Sequence, residues 1–181
     1  MKSQPKTLAT ALALCLLVLG ASASAASSRF TPSAPGTSMK LDQVNAAKWD
    51  KAWTNLVNDA EQTFVPSLPR LLAVEVGLIV GNPGPTEDEL TLTVTDSKGQ
   101  TVAAVTQTVQ TSDCDHTLFV ISKDGIDVMP GETYRLKLTG GTLFGWKYVV
   151  GGYKEGAATF NGKPLLPKAR STFLFRTFGE D

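Results

Sequence analysis

From about Glu61 to the end of the chain, apolar residues recur with a period of two and are interrupted at regular intervals by glycine and proline. Leu72, Val74, Val76, Leu78 and Val80 alternate with Ala73, Glu75, Gly77 and Ile79. Leu90, Leu92 and Val94 alternate with Thr91, Thr93 and Thr95, and Tyr134, Leu136 and Leu138 with Thr133, Arg135, Lys137 and Thr139. Side chains of a strand point alternately to its two faces, so each run has one apolar face and one wet or mixed face, as in antiparallel strands covered on one side. Leu118–Ile121 and Phe173–Phe175 are continuous apolar runs suited to interior strands. Gly81-Asn82-Pro83-Gly84-Pro85, Asp96-Ser97-Lys98-Gly99, Pro130-Gly131-Glu132 and Gly140-Gly141 separate the runs. Asp96–Gly99 predicts a hairpin loop, because its glycine accepts a positive φ. Strands roughly ten residues apart predict an all-β fold, an antiparallel two-sheet sandwich of jelly-roll type. No internal repeat and no long helical pattern is present.

The front of the chain obeys different rules. Lys2 and Lys6 precede the apolar run Leu8–Gly20, and small residues of the A-x-A type follow it at Ala21–Ala26. This is the pattern of a bacterial secretory signal, residues 1–25, with cleavage expected after Ala23 or Ala25. The run is shorter than the roughly twenty residues that span a bilayer, and the bulky Leu14 before Cys15 argues against a lipid anchor. The mature protein is therefore expected to be secreted or periplasmic, without membrane insertion. Residues 26–41, rich in Ser, Pro and Gly, read as a flexible leader. A single domain is expected over 42–181. Trp49, Trp53, Leu56 and Ala60 follow at helical spacing, with Asp42 as a candidate cap. The segment reads as a short helix or, equally, as an irregular strap that drops two tryptophans onto a sheet.

Without the signal, the chain keeps 15 of its 17 Lys and Arg against 17 Asp and Glu. A net charge near −2 gives no footprint for nucleic acid. Losing Cys15 leaves Cys114 alone, so no internal disulfide forms and the core must hold the fold.

Several local patterns resemble those of secreted bacterial jelly-roll β-sandwich domains. Gln62-Thr63-Phe64 followed by Leu68–Val80 resembles their "Q-x-F-x-P…L-x-x-V-x-V-x-L" opening, and Pro130-Gly131-Glu132-Thr133-Tyr134 their "P-G-x-x-Y" strand entry. Trp146, Tyr153, Asn161-Gly162 and the closing Leu174-Phe175-Arg176-Thr177 fit as well, so the likeness spans about Glu61 to Gly179. The resemblance implies carbohydrate-binding or surface-attachment modules, usually without catalysis.

Residues with catalytic chemistry are few. Asp113-Cys114-Asp115-His116 joins a thiol and the single histidine. On a strand, Cys114 and His116 would share a face with Cβ atoms roughly 7 Å apart, too far for a thiol–imidazole hydrogen bond. A closed zinc site needs more Cys and His than the chain has. The plain alternative is a turn, a small buried cysteine and a histidine that opens the next strand. Glu87-Asp88-Glu89, or Asp113 with Asp115, offers oxygens of the kind calcium takes, and otherwise reads as solvated turns. Structural calcium is the one cofactor the sequence leaves open. Glu75 is the acid that projects from a strand centre; a hydrolase would need a second acid about 5 to 10 Å from it.

The stretch Thr142–Gly162 gathers the aromatic residues. Alternation puts Phe144, Trp146, Tyr148 and Val150 on one face, with Leu143, Gly145, Lys147 and Val149 on the other. Packing is the first explanation of such a face. A ligand site remains at its far end, where Trp146, Lys147, Tyr153 and Asn161 would meet if Gly151-Gly152 folds the chain back. The expected role is non-catalytic binding of a polysaccharide or a cell-envelope component. The competing role is a structural or envelope-associated protein-interaction domain without a small ligand.

Overall fold

In the computed structural model, residues 39–55 and 59–181 are described. The signal segment and the leader up to residue 38 lie outside them. The strands are β1 (Lys40–Asn45), β2 (Trp53–Asn55), β3 (Ala60–Phe64), β4 (Arg70–Val76), β5 (Leu78–Val80), β6 (Glu87–Thr95) and β7 (Thr101–Gln110). A 3-10 turn at Cys114–His116 leads into β8 (Thr117–Val120), β9 (Ile126–Asp127), β10 (Tyr134–Thr139) and β11 (Phe144–Val150). β12 (Ala158–Phe160), β13 (Lys163–Pro164), β14 (Ser171–Phe173) and β15 (Phe175–Glu180) complete the chain. Every strand pair is antiparallel, so the all-β sandwich expected from the alternation is the fold.

A six-stranded sheet runs β13-β12-β3-β10-β6-β7, and a second sheet runs β1-β15-β4-β8 with β9 beside β4. Their inner faces are the apolar sets of the alternation. Leu90, Leu92, Val94, Leu136 and Leu138 meet Val74, Val76, Phe119 and Phe175, all at most 2% exposed. The Q-x-F pattern has a structural cause. Phe64 packs against Tyr134 and Phe175, and buried Gln62 crosses the sandwich, its Oε1 accepting the Phe173 N–H at 2.7 Å. In P-G-x-x-Y, Gly131 supplies a φ of 84° and the Tyr134 hydroxyl accepts the Met129 N–H at 3.0 Å.

The second sheet forks. β4 and β5 are one strand interrupted at Gly77, and β14 and β15 one strand interrupted at Leu174. β4 and β15 pair directly, but beyond the interruption β11 bridges the gap, its first half pairing with β5 and its second with β14. Three backbone bonds close the junction: Gly77 N–H to Leu174 O (3.1 Å), Lys147 N–H to Gly77 O (3.0 Å) and Leu174 N–H to Lys147 O (2.9 Å).

The segment before β3 contains no helix among its described residues. Lys40 and Leu41, placed in the leader by composition, belong to β1, which pairs with the C-terminal strand β15. Residues 46–52 form an irregular strap, and β2 pairs with β11. Helical spacing of the tryptophans lost because β11 offers an unpaired strand, and pairing satisfies backbone groups that a single isolated turn of helix leaves open.

Candidate functional site

Trp146 is fully buried, its ring stacked on Phe173 at a centroid distance of 4.3 Å and its Nε1–H donating to Leu174 O at 2.9 Å. Tyr153 is 7% exposed, edge-on to Phe175, its hydroxyl accepting the Val65 N–H and donating to Gln43 Oε1. Burial pushes that phenol up to about 12. Asn161 has φ 51° and Gly162 φ 69°, the two loop residues between paired Phe160 and Lys163. Two successive positive φ values are what a type I′ hairpin turn requires. Lys147 points away from Trp146, as alternation demands, and is buried on the opposite face. The four residues do not form one surface: two pack inside, one is a turn, and one belongs to another site.

That other site begins with Lys147. The face of β11 that carries Gly145 and Lys147 is covered by the strap and β2. Trp53 lies over Gly81 and Gly145, where any Cβ would strike its ring, and Trp49 lies over Lys147 with the ammonium 4.7 Å from the ring centroid. Glycine at 81 and 145 therefore makes the seat for an indole. Trp53 remains 37% exposed and Trp49 half-buried, so these, not Trp146, are the tryptophans at the surface. Lys147 Nζ donates to Asp115 Oδ1. That hydrogen bond, assisted by the charges of Lys147 and His116, holds the Asp115 carboxyl below its ordinary value.

Beside Asp115, the fork leaves a cleft of about 150 Å³. Gly77 and Leu174 mark its split, Asn45–Ala47 of the strap form one wall, and Glu75, Asp115, His116 and Arg176 supply charge. Glu75 and Arg176 are directly opposed on β4 and β15, so their side chains share a face. Glu75 Oε1 accepts from Arg176 Nη1 at 2.8 Å and faces His116 Nδ1 at 3.2 Å. Glu75, Arg176 and Asp115 thus each have a fixed partner of opposite sign, while the His116 side chain stays 67% exposed.

The Asp113–His116 constellation is a turn. Cys114 is buried, which pushes its thiol up, and His116 turns outward to Glu75. Among the described residues no group of three or more His, Cys, Asp and Glu is gathered for a metal. In the other acid cluster, Glu87 accepts from Gln110 Nε2, and Asp88 accepts the N–H groups of Thr142 and Leu143. Sequence reasoning singled out Glu75 alone, Asp115 with His116 in one constellation, and Lys147 with the aromatic residues, without bringing them together. Arg176 it met only inside a strand motif, and the signal for it was its own alternation with buried Phe175 and Thr177. The chain matches no family model, and no curated protein matches it.

Proposed function

We propose that the protein is an exported, non-catalytic binding module whose ligand, a saccharide or a comparable cell-surface component, is held in the cleft at the fork. The observation that carries this reading is an open cleft lined by hydrogen-bonding side chains already fixed by one another. Glu75, Arg176, His116 and Asp115 offer planar donors and acceptors at its wall, Phe175 and Leu174 an apolar patch, and Trp49 an indole one residue removed through Lys147. Prearranged polar groups lose little order on binding. The volume, below the roughly 300–1,000 Å³ of pockets for drug-sized ligands, suits one sugar ring or a chain end.

The acid chemistry favours binding over hydrolysis. Glu75 and Asp115 do line one cleft, but a glycosidase keeps one carboxyl protonated by raising its pKa. Asp115 is shifted the opposite way, and Glu75 is engaged by Arg176. The test is tryptophan fluorescence and retention on a panel of immobilised polysaccharides, with Glu75→Gln and Arg176→Gln as variants. Retention by the parent protein, weakened at least tenfold in both variants at unchanged melting temperature, supports the reading. Absence of retention on every polysaccharide, or equal retention by the variants, removes it. The competing reading, a protein-interaction domain, draws on Leu118 and Val120, which are 38% and 42% exposed along the β8 edge.

A further inference from the structure

The edges of the two large sheets are not alike. β1 carries Lys40 and Asp42 and is bulged between Leu41 and Val44. β13 has two residues, one of them Pro164, and β8 has four. Charge, bulges, proline and shortness are the devices that keep sheet edges from recruiting strands. β7 carries neither charge nor proline and is not short, and its one bulge, at Val102, is confined to the hairpin end. It is ten residues long and pairs among the described residues only with β6. From Thr101 to Ser112 the chain contains no charged residue, no proline and no glycine. Val102 is 37% exposed, and Gln107 Nε2, donating to Leu118 O, sets β7 alongside the β8 edge.

We infer that β7 pairs antiparallel with the β7 of a second copy of this chain, joining two six-stranded sheets into one. The charges at its ends select this occupant. Lys98 lies exposed at the hairpin tip before β7, and Asp113 lies exposed in the turn after it, its N–H on Gln110 O. Neither enters an ion pair among the described residues. Antiparallel self-pairing sets the Lys98 end of each copy beside the Asp113 end of the other, twice per dimer. Opposed residues must face the same side, so the two-fold axis passes through a residue near the middle, Val105 or Thr106. The side chains brought together are then Val, Ala, Thr and Gln, with no like charges opposed, along roughly 33 Å of strand. The inference is independent of the cleft, which lies on the other sheet.

Sedimentation equilibrium over a wide concentration range tests it. The expected result is a monomer–dimer equilibrium in which Thr106→Lys, by opposing two like charges, raises the dimer dissociation constant on the order of tenfold or more. Thr106→Glu, which brings two like charges of the other sign together, serves the same purpose should Thr106→Lys fail to fold by circular dichroism. Met129→Lys, at an exposed position away from β7, leaves the equilibrium unchanged. Lys98→Glu weakens the dimer, and adding Asp113→Lys restores it. A parent protein monomeric at every concentration overturns the inference, as does a dimer indifferent to both edge variants or to the charge swap.

Discussion

The two faces of β11 put tryptophans to opposite uses. On the inner face Phe144 and Trp146 are sealed in the core, Trp146 against Phe173. On the outer face Gly145 and Lys147 are sealed by Trp53 and Trp49, which themselves remain partly open to solvent. An indole inside serves stability; an indole outside, over a glycine or a lysine, makes a surface. The difference lies in what crosses above each face, a second sheet in one case and a single strap in the other.

The largest effect that can test this contrast is Trp146→Ala. Truncating a fully buried tryptophan costs about 3–5 kcal/mol, read by urea denaturation, whereas Trp49→Ala is expected to cost less than about 1 kcal/mol, as for other surface changes. Equal costs would erase the distinction between the faces.

A smaller effect sharpens the inner face. Tyr153→Phe leaves the Val65 N–H without its acceptor and is expected to cost about 1–3 kcal/mol. The phenol is raised to about 12 in the fold from an ordinary 10.0, so the folded state favours the protonated form. Stability from this group is full below pH 10 and is lost as pH rises toward 12. Tyr153→Phe should flatten that alkaline limb in a pH series of melting temperatures.

The smallest effect belongs to the outer face. The Asp115 side chain is 68% exposed, so its pair with Lys147 is screened and Asp115→Asn should cost less than about 1 kcal/mol. Its carboxyl is lowered in the fold, so its contribution is present above the ordinary value of 3.8 and fades as pH falls below it. Asp115→Asn should therefore lose stability near neutral pH and match the parent in acid; a constant difference down to pH 2 would contradict the pairing.

Most of the fold was legible because strand alternation and turn chemistry are local. Leu90–Val94 and Tyr134–Leu138 needed only their own period to show which face is buried. Asp96–Gly99 announced a hairpin through a residue that tolerates positive φ, whereas Asn161-Gly162, read as a ligand candidate, carries the same turn chemistry, which explains Asn161 without any ligand. The tryptophan spacing left helix and strap equally open because both use the same residues, and the choice rested on an unpaired strand about a hundred residues away.

The site was legible only in pieces. Glu75, as a charged residue within an apolar run, and Lys147, between large aromatics, each stood out. Their separation into one cleft wall and its neighbour depends on Gly77 and Leu174 splitting two strands for β11 to bridge, which no local pattern encodes. By itself the sequence determined an all-β sandwich, the facing of its strands and the positions of its turns, since each follows from neighbours in the chain. The tertiary structure alone decided which tryptophans meet solvent and which charges meet each other, because burial and pairing depend on residues distant in sequence.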